Sequence, residues 1–156
     1  MPSHGTATKT YPGALGDYAV VIDYSGHDET GETCPAMFGP FQRLVGYRFA
    51  DFTDGLTQTL LIGEKHVSPG EEGKDWQDCS VYNGDYHTCY TRPASRRHPL
   101  IRNWQTDKWW GFGSRHPGVV LFCFADARVQ PVPVNIDPGV LEALSGRNEG
   151  LIVPEW

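Results

Sequence analysis

His116 and Asp126, with nine residues between them, are the first pair in this chain that invites a catalytic reading: a general-base imidazole oriented by a carboxylate. Geometry weakens it. The intervening Gly118-Val119-Val120-Leu121-Phe122-Cys123-Phe124-Ala125 reads as a strand. At ~3.3 Å per residue, such a run holds its two ends ~25–30 Å apart. The spacing instead assigns structural work. Asp126 is placed to accept backbone N–H groups in a hairpin turn, and His116 to fix the start of the strand. Nucleophilic chemistry has less support. Ser114 lies near His116 in Gly113-Ser114-Arg115-His116, but no third member, nucleophile elbow, phosphate loop or dinucleotide fingerprint accompanies it.

Metal chemistry is the sharper rival. Oxygen ligands gather at Glu64, Asp75, Asp78, Asn83 and Asp85, with Asp107 more remote. A hard cation takes several carboxylate and carbonyl oxygens on turns, so calcium is the metal this pattern would suit. No D-x-D-x-D-G run is present. Zinc fits less well, because His66, His87, His98 and His116 lack an H-x-x-x-H spacing and Cys34, Cys79, Cys89 and Cys123 form no C-x-x-C pair. Cys79 and Cys89 flank the turn-rich Ser80–Thr88, and a disulfide there would close the loop in an oxidising compartment. Cys123 sits in the most apolar run and reads as a buried thiol.

A third chemistry is ligand binding through rings. Trp76, Tyr82, Tyr86, Tyr90, Trp104, Trp109 and Trp110 are interleaved with Asp, Asn and Arg. Rings with polar neighbours suit sugars, and such clusters also suit protein interfaces. The competing reading is that Trp109-Trp110-Gly111-Phe112 merely covers one face of a sheet.

The elements that must position these residues are short. Asp17–Asp23 is β-branched and aromatic between glycines, a strand signal, and Val45–Ala50 is a weaker one. Thr53 or Asp54 is placed to cap a single helical turn, with Gln58 near the capping-box position. Leu60-Leu61-Ile62 follows as a buried strand. Residues 68–110 show no sustained period, and so long a stretch inside a compact domain predicts short hidden strands or a packed surface loop. Gly118–Ala125 is apolar on both faces, the pattern of a strand covered on both sides. Arg128–Val134 alternates as its hairpin partner, at an edge because Pro131 and Pro133 cannot donate to a ladder. Asp137-Pro138 through Gly146 carries an N-cap, a proline at the first helical position and a terminal glycine, and predicts a helix.

Composition bounds the rest. The 156 residues suffice for one domain with its own core. Glycine and proline, at 18 and 12, make it turn-rich, while 12% aromatic residues argue against disorder. A net charge of −6 argues against a nucleic-acid partner, because phosphate neutralisation needs a basic surface. Arg92, Arg96, Arg97, His98 and Arg102 read as a solvated loop. No apolar run is long enough to span a bilayer, so this chain makes no membrane contact of its own, and Met1-Pro2-Ser3-His4-Gly5 is not a secretion signal.

Three segments together resemble a known family. Asp51-Phe52-Thr53-Asp54-Gly55-Leu56-Thr57-Gln58-Thr59-Leu60-Leu61-Ile62-Gly63-Glu64-Lys65 resembles its I-x-D-G-x-S-N-T-L-x-x-G-E-K stretch. Phe112–Gly118, continuing to Phe124-Ala125-Asp126, resembles its signature of His, nine residues, then Asp-Gly. Ile136-Asp137-Pro138 through Leu144, with Arg147, Asn148 and Gly150, resembles its closing helix and tail. The family is the prepilin-like domain of unknown function expanded in planctomycete-type bacteria. One departure stands out: Ala127 replaces the family's glycine, so the turn must avoid a left-handed backbone or accept strain.

The resemblance implies a type IV pilin- or pseudopilin-like head outside the cytoplasm, at the cell surface or in the periplasm, and no enzymatic activity. It assigns signature roles to Asp54, Gly55, Gly63, Glu64, His116, Gly118 and Asp126. It also implies an N-terminal prepilin helix that these residues do not include, so the chain reads as a head alone, cut from its anchor or used without one. The expectation is one α+β domain: an extended arm over residues 1–16, then a head over 17–156 with an antiparallel sheet of four to six strands and a C-terminal helix. The function it points to is a structural protein that forms a homo-oligomer or pilus-like assembly, or binds a partner, through its aromatic loop face. A calcium- or glycan-binding module is the alternative, and a hydrolase the third reading.

Overall fold

The computed structural model describes residues 13–22, 39–42, 45–74, 78–82 and 87–156. Residues 1–12 of the expected arm, Cys34, and the candidates Asp75, Trp76, Asn83, Asp85 and Tyr86 lie outside the described residues. The elements are β1 (Tyr18–Val21), β2 (Leu60–Glu64), β3 (Thr91–Arg92), β4 (Val119–Phe124), β5 (Val129–Pro133) and α1 (Pro138–Ser145). The strands form one five-stranded sheet in the order β3-β1-β2-β4-β5. β2 is antiparallel to β1 and β4, and β4 to β5, with Val20 opposite Ile62, Gly63 opposite Phe122 and Val120 opposite Val132. The sheet is therefore α+β as expected, but mixed, because β3 runs parallel to β1. Among the described residues, that two-residue strand is the one hidden in the irregular half.

One face of the sheet carries the core. Ala19, Val21, Leu60, Val120, Phe122, Phe124 and Val132 are buried together with Leu100, Phe112 and the Val140, Leu141 and Leu144 side chains of α1. Full burial of a side chain of this size contributes about 1.5–3 kcal/mol. Gly63 has a packing role here. A Cβ at that position would overlap the Phe122 ring and come within 2.9 Å of Phe112, and those two rings pack 4.9 Å apart across the strand. α1 starts as its sequence requires: the Asp137 carboxylate accepts the Gly139 N–H at 2.8 Å and the Val140 N–H at 3.2 Å, with Pro138 opening the first turn.

β5 is an edge strand, and its prolines fit because of register. Phe124 N–H donates to Arg128 O and Val134 N–H to Gly118 O, so alternate residues from 128 to 134 face β4. Pro131 and Pro133 occupy the positions whose N–H would point outward, where no ladder bond is lost.

Four local expectations are corrected. Val45–Ala50 is not a strand: Val45 makes an isolated bridge to Gln42, and Phe49–Asp51 forms a 3₁₀ turn whose Asp51 carboxylate accepts the Arg48 N–H at 2.7 Å. Phe49 is exposed, so no burial rewards an extended chain there. The helical turn near residue 54 is Leu56–Gln58, led by Gly55 at φ 103° with no side-chain cap, and Asp54 is used elsewhere. β4 is not covered on both faces. Val120, Phe122 and Phe124 are buried, whereas Val119, Leu121 and Cys123 are half-buried, because α1 lies over one side only. Cys123 is thus a half-exposed thiol rather than a buried one.

The β4–β5 turn takes the strained option. Asp126 accepts the Arg128 N–H at 3.0 Å, as expected, and Ala127 adopts φ 68° in the left-handed region. A Cβ there costs about 1–2 kcal/mol, partly offset by glycine's larger unfolded-state entropy. Ala127→Gly is expected to stabilise the domain by about 0.5–1 kcal/mol, read as a rise of a few degrees in Tm.

Candidate functional site

Alternation along the end of β2 sends neighbouring side chains in opposite directions. Glu64 points to the outer face, while Lys65 follows the buried Gly63 inward. Glu64 Oε2 accepts the Leu121 N–H at 2.7 Å, and Oε1 lies 3.2 Å from His116 Nε2. The carboxylate that meets His116 is therefore Glu64 from β2, and Asp126 stands at the far end of β4. The Gly63-Glu64-Lys65 stretch and the His116 signature, 52 positions apart in Glu64 and His116, converge on this contact. Ser114 belongs to the same corner. Its hydroxyl donates to Val119 O at 2.8 Å and accepts the His116 N–H at 2.9 Å.

Behind this surface lies a buried ionic cluster. Lys65 Nζ sits 2.6 Å from Asp78 Oδ1 and 3.2 Å from Cys89 O, with side-chain exposures of 1% for Lys65 and 4% for Asp78. The other Asp78 oxygen accepts the Gly73 N–H at 3.0 Å. Burial lowers the Lys65 pKa, opposed by its bond to Asp78. Arg92, fully buried, donates to Thr88 O at 2.6 Å, Thr91 O at 2.7 Å and His66 O at 3.3 Å, and its guanidinium stands 5.5 Å from the centre of the Trp110 ring. Burial pushes its pKa down to about 9. Cys79 and Cys89 form the disulfide their spacing suggested, next to Asp78 and beneath the carbonyl that receives Lys65.

His66 is buried and donates through Nε2 to Asp107 O at 2.8 Å, and burial holds its pKa below the ordinary value. Because the folded pKa is depressed, the unfolded chain takes up a proton first as pH falls below about 6.5. Stability should therefore decline on acidification from that point, before the carboxylates titrate. His66→Gln, which keeps a donor but cannot charge, should flatten this limb in denaturant titrations run at successive pH values.

The described aromatic candidates do not converge on one surface. Trp109 stacks on His98 at 5.1 Å. Trp110 meets the His87 ring edge-on at 5.9 Å and donates to Thr88 O at 3.4 Å. Tyr82 is exposed, while Tyr90 is half-buried and accepts the Val20 N–H through its backbone carbonyl at 2.8 Å. Trp104 lies under the Arg115 guanidinium at 4.9 Å.

The described metal candidates, Glu64, Asp78 and Asp107, are each engaged elsewhere. Glu64 and Asp78 both line one cleft, but each already holds the partners given above. Asp107 accepts the Arg102 and Asn103 N–H groups of its own turn. Among the described residues no group of three or more His, Cys, Asp and Glu side chains is placed to hold a metal ion.

The remaining signature residues are structural by contact or conformation. Asp54 reaches across the fold and accepts the Glu149 N–H at 2.8 Å and the Gly150 N–H at 3.0 Å. Gly55 and Gly118 both have positive φ, at 103° and 73°. Sequence reasoning missed the Lys65–Asp78 pair. The available signal was the inward phase of Lys65, two residues after the buried Gly63.

The cleft itself has a volume of about 470 Å³ and opens where β1 begins and β2 ends, between Asp17-Tyr18, Glu64, Trp104 and Arg115-His116. Fold and site together define a disulfide-linked α+β sheet domain whose signature carboxylates Asp54, Glu64 and Asp126 each hold a backbone N–H of another segment or turn. The chain belongs to the family described as protein of unknown function (DUF1559), whose profile matches residues 2–139. No curated protein and no solved structure matches it.

Proposed function

We propose that this domain is a non-enzymatic, extracytoplasmic head of the pilin or pseudopilin kind, which associates with further copies or with a partner through its loop surface. The observation that carries the reading is the use made of the signature side chains. Asp54, Glu64 and Asp126 each serve main-chain N–H groups, so the motif residues hold a scaffold together. The Cys79–Cys89 bridge supports an oxidising compartment.

Two features bear on how association would run. β5 presents prolines on its outward edge, and β3 is two buried residues long. Neither edge is a template for strand addition, which leaves loops and the outer sheet face. Light scattering across a concentration series, with and without calcium, combined with imaging for filaments, tests the reading. Concentration-dependent oligomers or filaments are expected. A single monomeric species at every concentration, with no filaments, would count against it.

A further inference from the structure

The cleft at the start of β1 and the end of β2 has no role in the assembly reading, and its lining is unusual in what it leaves unbonded. The Asp17 carboxylate, the Tyr18 hydroxyl, the Trp104 indole N–H and the Arg115 guanidinium all line it, and among the described residues none of them makes a hydrogen bond or ion pair. The other polar groups in the wall are already engaged: Glu64 with Leu121 and His116, Lys65 with Asp78, and Glu72 with the Gly70 N–H at 2.8 Å. The cleft thus combines a fixed wall with four groups available to a ligand.

Charge and shape narrow the ligand. Four carboxylates, Asp17, Glu64, Glu72 and Asp78, line the cleft against two fixed cations, Lys65 and Arg115. That balance disfavours phosphates and other anions. Metal ions lack a ligand cluster among the described residues. A neutral, polyhydroxylated molecule meets each feature. A carboxylate accepts two neighbouring hydroxyls and a guanidinium donates to two others, both as charge-assisted bonds. The Tyr18 ring, 61% exposed, offers flat apolar surface for the C–H face of a sugar, while Trp104, capped by the Arg115 guanidinium 4.9 Å from its ring centre, adds its indole N–H as a donor. The volume falls in the ordinary range for small-ligand sites, ~300–1,000 Å³.

The site is also pre-organised. Ser114 ties the Arg115-His116 segment to β4, and His66 and Ser68 both bond to Asp107 O from below. Gly113 packs so closely that a Cβ would stand 2.6 Å from Ile101 and 3.1 Å from His66. We infer that this cleft is a binding site for a neutral saccharide, recognised by Asp17, Arg115 and the Trp104 indole N–H through its hydroxyls and by Tyr18 through its ring face. This inference does not depend on the assembly reading, since saccharide binding and oligomeric state are read by separate measurements.

Calorimetry and intrinsic tryptophan fluorescence on the full chain would test it, with glucose, galactose, mannose, N-acetylglucosamine and their β-linked disaccharides as probes and heparin as the anionic control. Saturable binding of at least one neutral sugar is expected, weakened about tenfold or more by Asp17→Asn and by Trp104→Ala at unchanged Tm. Should Trp104→Ala fail to fold, Tyr18→Ala at its exposed position carries the same expectation. No saturable binding to any neutral probe, binding indifferent to these substitutions, or binding confined to heparin would each overturn the inference.

Discussion

Asp78→Ala is expected to destabilise the domain by about 3–5 kcal/mol, the range for removing one partner of a buried ion pair. The side chains of Lys65 and Asp78 are almost fully enclosed, so solvent does not screen the charge left behind. The loss is aggravated by Arg92, whose buried guanidinium also draws on the Asp78 charge. Removing the carboxylate leaves two cations in one low-dielectric region and frees the Gly73 N–H. In a domain of this size, where each kcal/mol moves Tm by about 2–4 °C, the drop should be of order 10 °C. Lys65→Met paired with Asp78→Leu is the informative companion. A hydrophobic pair of similar volume needs no desolvation of charge and should restore much of the stability. A single substitution with wild-type Tm would show that the pair is not desolvated.

Removing the disulfide is the second large effect. The bridge closes a loop with a sequence separation of 10, and the loop-entropy relation assigns such a closure about 2.5–3 kcal/mol. Cys79→Ala with Cys89→Ala should lower stability by that amount in denaturant titrations. The consequence should reach beyond the loop. Cys89 O receives Lys65 Nζ, and Asp78 immediately precedes Cys79, so the bridge holds both sides of the buried pair in register. Asp78→Ala in the bridge-free background should therefore cost less than in the wild type, a coupling that a double-mutant cycle measures directly. Additive losses would show that the bridge and the ion pair act independently.

Much of the architecture was legible because it is set by local physics. Asp137-Pro138 places a cap and a fixed φ side by side, and α1 starts there. Pro131 and Pro133 alternate with the ladder positions, so β5 had to be an edge. Where reading failed, tertiary competition had decided. Val45–Ala50 has strand-forming residues but, among the described residues, no neighbouring strand to bury them against, and Asp51 instead accepts the Arg48 N–H. β4 is apolar on both faces, yet one helix covers one face, which leaves Cys123 half-exposed.

The candidate site divides in the same way. From the sequence by itself came the α+β class, the C-terminal helix, the Asp126 turn, the argument that keeps His116 and Asp126 apart, and the two cysteines able to pair across ten residues. These follow from strand rise, capping and loop closure, which act over a few residues. Only the tertiary structure decided that His116 meets Glu64, that Asp54 holds the backbone at Glu149 and Gly150, and that Asp17, Tyr18, Trp104 and Arg115 share one cleft. Each of those contacts joins segments distant in sequence. Their pairing depends on sheet order and register, and no local pattern in the chain encodes which strand will lie beside which.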